Sequence, residues 1–149
     1  MNSGTLKPNE GRLQTAEHIL CKVLEGRAND AVMGISKFKE DSGLLEITTA
    51  ADARTFDLGA LQDEVNAVIS KGLPVHKTVK KREDAEKEVD LRKVPQSVTE
   101  VMIVDIERFD KRPCRDPHVG NTSQIGKFVI RGVEKAGSNR YRFTFKVEF

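Results

Sequence analysis

Leu13, Ala16, Leu20, Val23 and Leu24 recur at steps of three, four and seven residues, the spacing that aligns apolar side chains along one face of a helix, and predict a helix from Leu13 to about Glu25. Gly26 and the polar stretch after it predict its end. From Ala31 to Ala50 the chain is rich in apolar and β-branched residues, and the polar break at Asp41, Ser42 and Gly43 predicts the turn of a hairpin. Leu58, Leu61, Val65, Val68 and Ile69 form a second helical stripe, with Asp57 placed to cap it and Gly72 to stop it. Pro74 then opens a short extended piece, VHKTV, in which His76 reads as a surface or sheet residue. The charged run KKREDAEKE that follows has little apolar face and is expected as a solvated helix or loop.

Val98 to Ile106 is almost continuously apolar, the pattern of a strand covered on both faces. A long polar loop, RFDKRPCRDPHVGNTSQIG, leads to KFVIRGV, a turn at Gly137, Ser138 and Asn139, and a last strand. There Tyr141, Phe143, Phe145, Val147 and Phe149 alternate with Arg140, Arg142, Thr144, Lys146 and Glu148, so one face belongs to a core and the other is largely cationic. Strands mixed with separate helices predict an α+β fold: a two-layer sandwich of a mostly antiparallel sheet with helices packed on it. A length of 149 residues fits a single domain over residues 1–149, and the polar residues 1–11 read as a flexible N-terminal segment.

Composition narrows the partners. The 25 Lys and Arg against 23 Asp and Glu leave a net charge of +2, which excludes a polycation that coats nucleic acid but permits a local basic patch. Two cysteines far apart in sequence, Cys21 and Cys114, indicate a reducing compartment. Apolar runs are too short for a membrane span and the N-terminus has no signal-peptide pattern, so a cytoplasmic protein without a membrane partner is expected.

Two constellations can carry chemistry. Cys114 and His118 form C-x-x-x-H in the long loop, and Gln14 and His18 form Q-x-x-x-H on the first helix, with Cys21 on the same helical stripe. At ideal helical geometry this stripe points away from the apolar one, so it faces a second wall or water. His18, Cys114 and His118 together would suit zinc, leaving a fourth position to water, Gln14 or Cys21. The plainer alternative is a helix-surface histidine and a loop held by packing and hydrogen bonds.

The wording of both motifs goes further than their spacing. QTAEHIL resembles an HTAEHLL-type helix, and CRDPHVGNTSQIGKFVI resembles the C-x-x-x-H-V-x-N-T-x-x-I-G-x-F segment, of the second additional domain of alanyl- and threonyl-tRNA synthetases, a unit that also occurs as freestanding alanyl-tRNA editing proteins. The resemblance runs from about Arg12 to the end. It implies an aminoacyl-tRNA deacylase that hydrolyses the ester between a wrong amino acid, typically serine, and the acceptor end of tRNA of the alanine or threonine type; the sequence carries no ATP-binding signature, so no ATP is expected. His18, Cys114, His118 and Gln14 would be its catalytic group, and His18, Cys114, His118 and Cys21 its zinc ligands. Thr15 or Ser36 would bond a serine hydroxyl, and Lys111, Arg112 and Arg115 would hold the phosphates of the tRNA.

The chain departs from the family pattern where the chemistry is concentrated. Gln14 stands where the helix normally has its first histidine, and Cys21 where a further histidine is common. Arg115 and Asp116 replace an alanyl-type Gly-Gly, and Arg112 stands where threonyl-type sites use aspartate, with Asp110 close by. Two other readings therefore stand beside the enzyme: a module that grips the acceptor end without hydrolysis, and a structural zinc protein closed by His18, Cys21, Cys114 and His118.

Overall fold

The first helix, α1, spans Glu10–Arg27 in a computed structural model that describes residues 9–148. It starts earlier than the apolar spacing predicts and continues through Gly26, with Glu10 in its first turn and Arg27 in its last, each favourable to the helix dipole. Residues 1–8 of the segment expected to be flexible lie outside the described residues, whereas Glu10 and Gly11 are helical.

Strands β1 (Val32–Phe38) and β2 (Ser42–Thr48) form the expected hairpin, though Ser42 and Gly43 already belong to β2 and Gly43 pairs with Phe38. Helix α2 (Leu58–Ser70) begins where the Asp57 carboxylate accepts the Ala60 N–H at 3.0 Å and ends before Gly72, whose φ of 63° suits a residue without Cβ. Next come β3 (Val75–Lys81), a short helix α3 (Arg82–Ala85), β4 (Glu100–Ile106), β5 (Asp110–Pro113), β6 (Lys127–Gly137) and β7 (Arg140–Glu148). The strands make two antiparallel sheets, ordered β1-β2-β7-β6 and β3-β4-β5, so the α+β sandwich is built on two sheets instead of one.

The main core lies between α1, α2 and the four-stranded sheet. Leu13, Leu20 and Leu24 of α1, Leu61 and Val65 of α2, and Leu45, Ile47, Phe128, Phe143 and Phe145 of the sheet are buried together. Each large side chain of this kind contributes about 1.5–3 kcal/mol on burial. Ile19, which falls outside the predicted apolar stripe, is also fully buried, because α1 is covered on more than one side.

A smaller core corrects the expectation for the charged run. Ala85 and Val89 are buried with Val101 and Ile103 of β4, while Ile106 at the other end of β4 belongs to the main core. This is why β4 is nearly all apolar. Arg82 closes the cover by donating to the carbonyls of Val94, Pro95 and Val98 at 2.9–3.2 Å.

Strand β5 lies in what reads as a polar loop. Its four residues have no apolar alternation, and it is a strand because its backbone pairs with β4, with Arg112 opposite Val104 and Pro113 opposite Ile103. The Cys114 N–H donates to Met102 O at 3.0 Å, which holds the cysteine at the strand's exit. Beyond it the Asn-Thr pair is a clamp. Asn121 donates to Gly72 O at 3.0 Å, and the fully buried Thr122 hydroxyl lies 3.2 Å from the carbonyls of Val68 and Ile69. These bonds satisfy the end of α2 and fix the loop that carries His118.

Candidate active site

Gln14, Glu17, His18 and Cys21 stand at positions i, i+3, i+4 and i+7 of α1, one face of the helix. All four are less than 9% exposed. The polar stripe therefore faces a second wall, as its orientation away from the apolar stripe requires. It forms the floor of a cleft of about 340 Å³ between the edges of the two sheets, with Met33, Ser36 and Phe38 of β1 on one side and Arg112 and Pro113 of β5 on the other. Cys114 and Asp116 also line it.

His18, Cys114 and His118, 96 to 100 residues apart from helix to loop, converge here: one donor atom from each lies within 4.8 Å of the others. The two imidazole rings meet edge to face with centroids 4.5 Å apart, and His118 Nε2 is 3.4 Å from Cys114 Sγ. Gly11 permits the approach of α1 to the loop, since a Cβ there would stand 3.3 Å from the His118 carbonyl carbon. Thr15 sets the second histidine. Its oxygen is 2.9 Å from His118 Nδ1 and accepts the Val119 N–H at 3.2 Å. With Nδ1 protonated and donating to Thr15, Nε2 carries its lone pair on the side of the cysteine sulfur, the arrangement that a metal-binding histidine requires.

Burial sets the protonation of the three groups. Burial lowers His18 to about 3, aided by His118 and Arg112, and lowers His118 to about 4 with a smaller effect of Lys77. Burial also pushes the Cys114 thiol up to about 12; a backbone hydrogen bond at Asp116 opposes the rise, and the carboxylates of Asp116 and Glu17 add to it. His18 Nδ1 and Glu17 Oε2 are buried without a hydrogen-bond partner. An orphaned imidazole nitrogen within a nitrogen, sulfur and nitrogen donor set is a group that metal coordination can satisfy. The three residues fit zinc in number and kind, with a fourth position left over.

The remaining candidates are distributed differently. Cys21 lines the cleft but is not among the converging donors; one turn further along α1 it sits near Arg112, Glu25 and Asp110, and burial raises its thiol. A closed set of four protein ligands including Cys21 is therefore absent among the described residues. Gln14 lies on the cleft floor and Ser36 in its wall, whereas Thr15 is fully buried and its hydroxyl is engaged with His118 and Val119. Arg112 is half-buried and occupied by Glu25, at 2.6 and 3.1 Å, and by Asp110 at 2.7 Å. Lys111 pairs with Glu88 at 3.0 Å. Arg115 is exposed between the cleft residues Cys114 and Asp116. On the last strand, Glu46 accepts ion pairs from both Arg140 and Arg142, so that cationic face is largely neutralised.

Glu17 is the residue that motif reading passes over. Burial raises its carboxyl to about 7, opposed by Ser36 on the facing strand. The signal is its position: a glutamate three after Gln14 and four before Cys21 belongs to the same stripe.

Residues 101–144 match a family model described as the threonyl and alanyl tRNA synthetase second additional domain. Similar proteins include the alanine–tRNA ligase of Methanopyrus kandleri, 27% identical over 89% of this chain and 15% of the ligase. The threonine–tRNA ligase of Haloarcula marismortui is 25% identical over 82% of this chain and 20% of that protein. The alanyl-tRNA editing protein AlaX-M of Methanosarcina acetivorans is 25% identical over 90% of this chain and 56% of its own length. The chain thus spans a minor part of the ligases and about half of the editing protein. No helix among the described residues is long and apolar enough to cross a membrane.

Proposed function

We propose that this chain, which is related to the second additional domain of threonyl and alanyl tRNA synthetases, is an aminoacyl-tRNA deacylase that removes a wrongly attached amino acid, serine, from tRNA of the alanine or threonine type. The observation that carries the reading is the convergence of His18, Cys114 and His118, the first two of which line the cleft. The problem such an activity solves is general: a synthetic pocket rejects a near-isosteric amino acid too weakly, and a second site must hydrolyse the product.

His18, Cys114 and His118 would hold a zinc ion, which when bound lowers the pKa of water and polarises a carbonyl oxygen. Thr15 keeps His118 in the orientation and tautomer that present Nε2. Gln14, buried beside His18, offers an amide donor and an acceptor to orient the hydrolytic water. An aminoacyl ester is already activated, so positioned water and stabilisation of the developing oxyanion meet most of the chemical demand. Arg115 is the cation placed to meet an acceptor-end phosphate, since Lys111 and Arg112 are held by carboxylates. A tRNA substrate is in keeping with a cytoplasmic protein.

Gln14, which stands where the resembled helix motif has a histidine, motivates the second reading, a module that binds the acceptor end without hydrolysis. One assay separates the two. Release of serine from seryl-tRNA of the alanine and threonine types is measured with added zinc and with a chelator. Zinc-dependent release is expected; binding without release under both conditions leaves the binding module.

A further inference from the structure

Glu17 stands on the cleft floor beside His18, 8% exposed, and its Oε2 has no hydrogen-bond partner. The cleft offers little to neutralise it. Its lining cation, Arg112, is occupied by Glu25 and Asp110, and Asp116 adds a second carboxylate. Ser36, on the edge strand facing Glu17, supplies only a neutral hydroxyl. The cavity, about 340 Å³, is large enough for an amino acid. A buried carboxylate oxygen without a donor, with a second carboxylate lining the same cleft, is complementary to a small cation with several N–H groups.

Resting on the proposed substrate class, we propose that Glu17 is a specificity residue that binds the α-ammonium of the esterified amino acid, so that the site takes esters with a free amino group and refuses N-acylated ones. Acylation removes the charge and two of the N–H donors from that nitrogen, and leaves Glu17 facing an amide that cannot neutralise it. The same contact orients the substrate: the amino group at Glu17 directs the side chain toward Ser36 and the ester toward His18 and Cys114.

Binding of 3′-seryl-amido-3′-deoxyadenosine, which resists hydrolysis, and of its N-acetyl derivative tests this by calorimetry on the zinc-loaded chain, beside deacylation of seryl-tRNA and N-acetylseryl-tRNA. The free-amine compound should bind about tenfold to hundredfold more tightly. Glu17→Gln should remove that preference by weakening the free-amine compound alone, Glu17→Asp should retain part of it, and in turnover the loss should fall on KM. Zinc content should stay unchanged in both variants. An unaltered ratio in Glu17→Gln, no binding of either compound, or loss of zinc with both ligands overturns the proposal. A wild-type preference for the free amine that Glu17→Gln removes, without any deacylation, overturns the hydrolytic reading alone.

Discussion

The two faces of α1 are buried to a similar degree by opposite means. On one, Leu13, Leu20 and Leu24 enter a core of aliphatic and aromatic side chains where every group is satisfied by contact alone. On the other, Gln14, Glu17, His18 and Cys21 are equally shielded, yet one carboxylate oxygen and one imidazole nitrogen have no partner. Burial of unsatisfied polar groups costs about 1–3 kcal/mol each, so the second face opposes folding where the first drives it. Such a face is understood by what it can receive. The comparison separates a stabilising wall from a receiving one on a single helix.

Paired substitutions should break the comparison most sharply. Leu20→Ala opens a cavity in a fully buried site and should lower stability by about 2–5 kcal/mol, while the protein that remains folded keeps the rate of the proposed deacylation. His18→Ala should do the reverse, reducing turnover about 10²–10³-fold or more and leaving thermal stability of the metal-free protein unchanged or raised. Denaturation and serine release measured on both variants check this. A His18→Ala protein as unstable as Leu20→Ala would make the polar face a second structural core.

A titration should sharpen the boundary between the faces. Asp110, beside the polar face, is raised to about 6 because burial outweighs its pairing with Arg112, which Glu25 shares. A carboxyl with a raised folded-state pKa is protonated more readily in the folded chain than in the unfolded one, so its effect on stability is most favourable below the unfolded value near 4 and is lost as pH rises through about 6. The difference in stability between the wild type and Asp110→Asn should therefore shift by about 1–3 kcal/mol between pH 4 and pH 7, to the detriment of the wild type. Urea denaturation at intervals across that range measures it. A flat difference would place Asp110 in a fully compensated ion pair.

The same contrast explains what was legible in the sequence. Leu61 with Val65, or Tyr141 with Phe143, declare their element because each contact repeats at the period of a helix or a strand. Asp57, Gly72 and the turn at Asn139 were legible for a local reason, a cap bond or a positive φ. Strand β5 was not, since Asp110–Pro113 pairs through its backbone and its side chains serve ion pairs. Val89 was hidden because Ala85 in the charged run and Val89 just after it gain meaning only from the cover they provide over β4. At the site, His18, Cys114 and His118 were visible as donors, but their convergence is a tertiary fact created by Gly11, Thr15 and the Thr122 clamp. Glu17 had the right position and the wrong company: glutamate on a helix ordinarily faces water.

The smallest expected effect extends the contrast from the helix to the loop beside it. Lys111 and Arg112 carry charge that the fold already uses, against Glu88 and against Glu25 with Asp110, whereas Arg115 is exposed next to the cleft. A cation engaged by a carboxylate must surrender that partner to bind phosphate, so its net contribution to RNA affinity is reduced; a solvated one releases counterions only from the RNA. Arg115→Ala should weaken acceptor-stem binding severalfold and lower the slope of log affinity against log salt by about 1, with stability unchanged within about 0.5 kcal/mol. Lys111→Ala should alter the slope less. Equal slopes for the two variants would mean that the Glu88 pair opens on binding, and the division between structural and receiving charges would then stop at the helix.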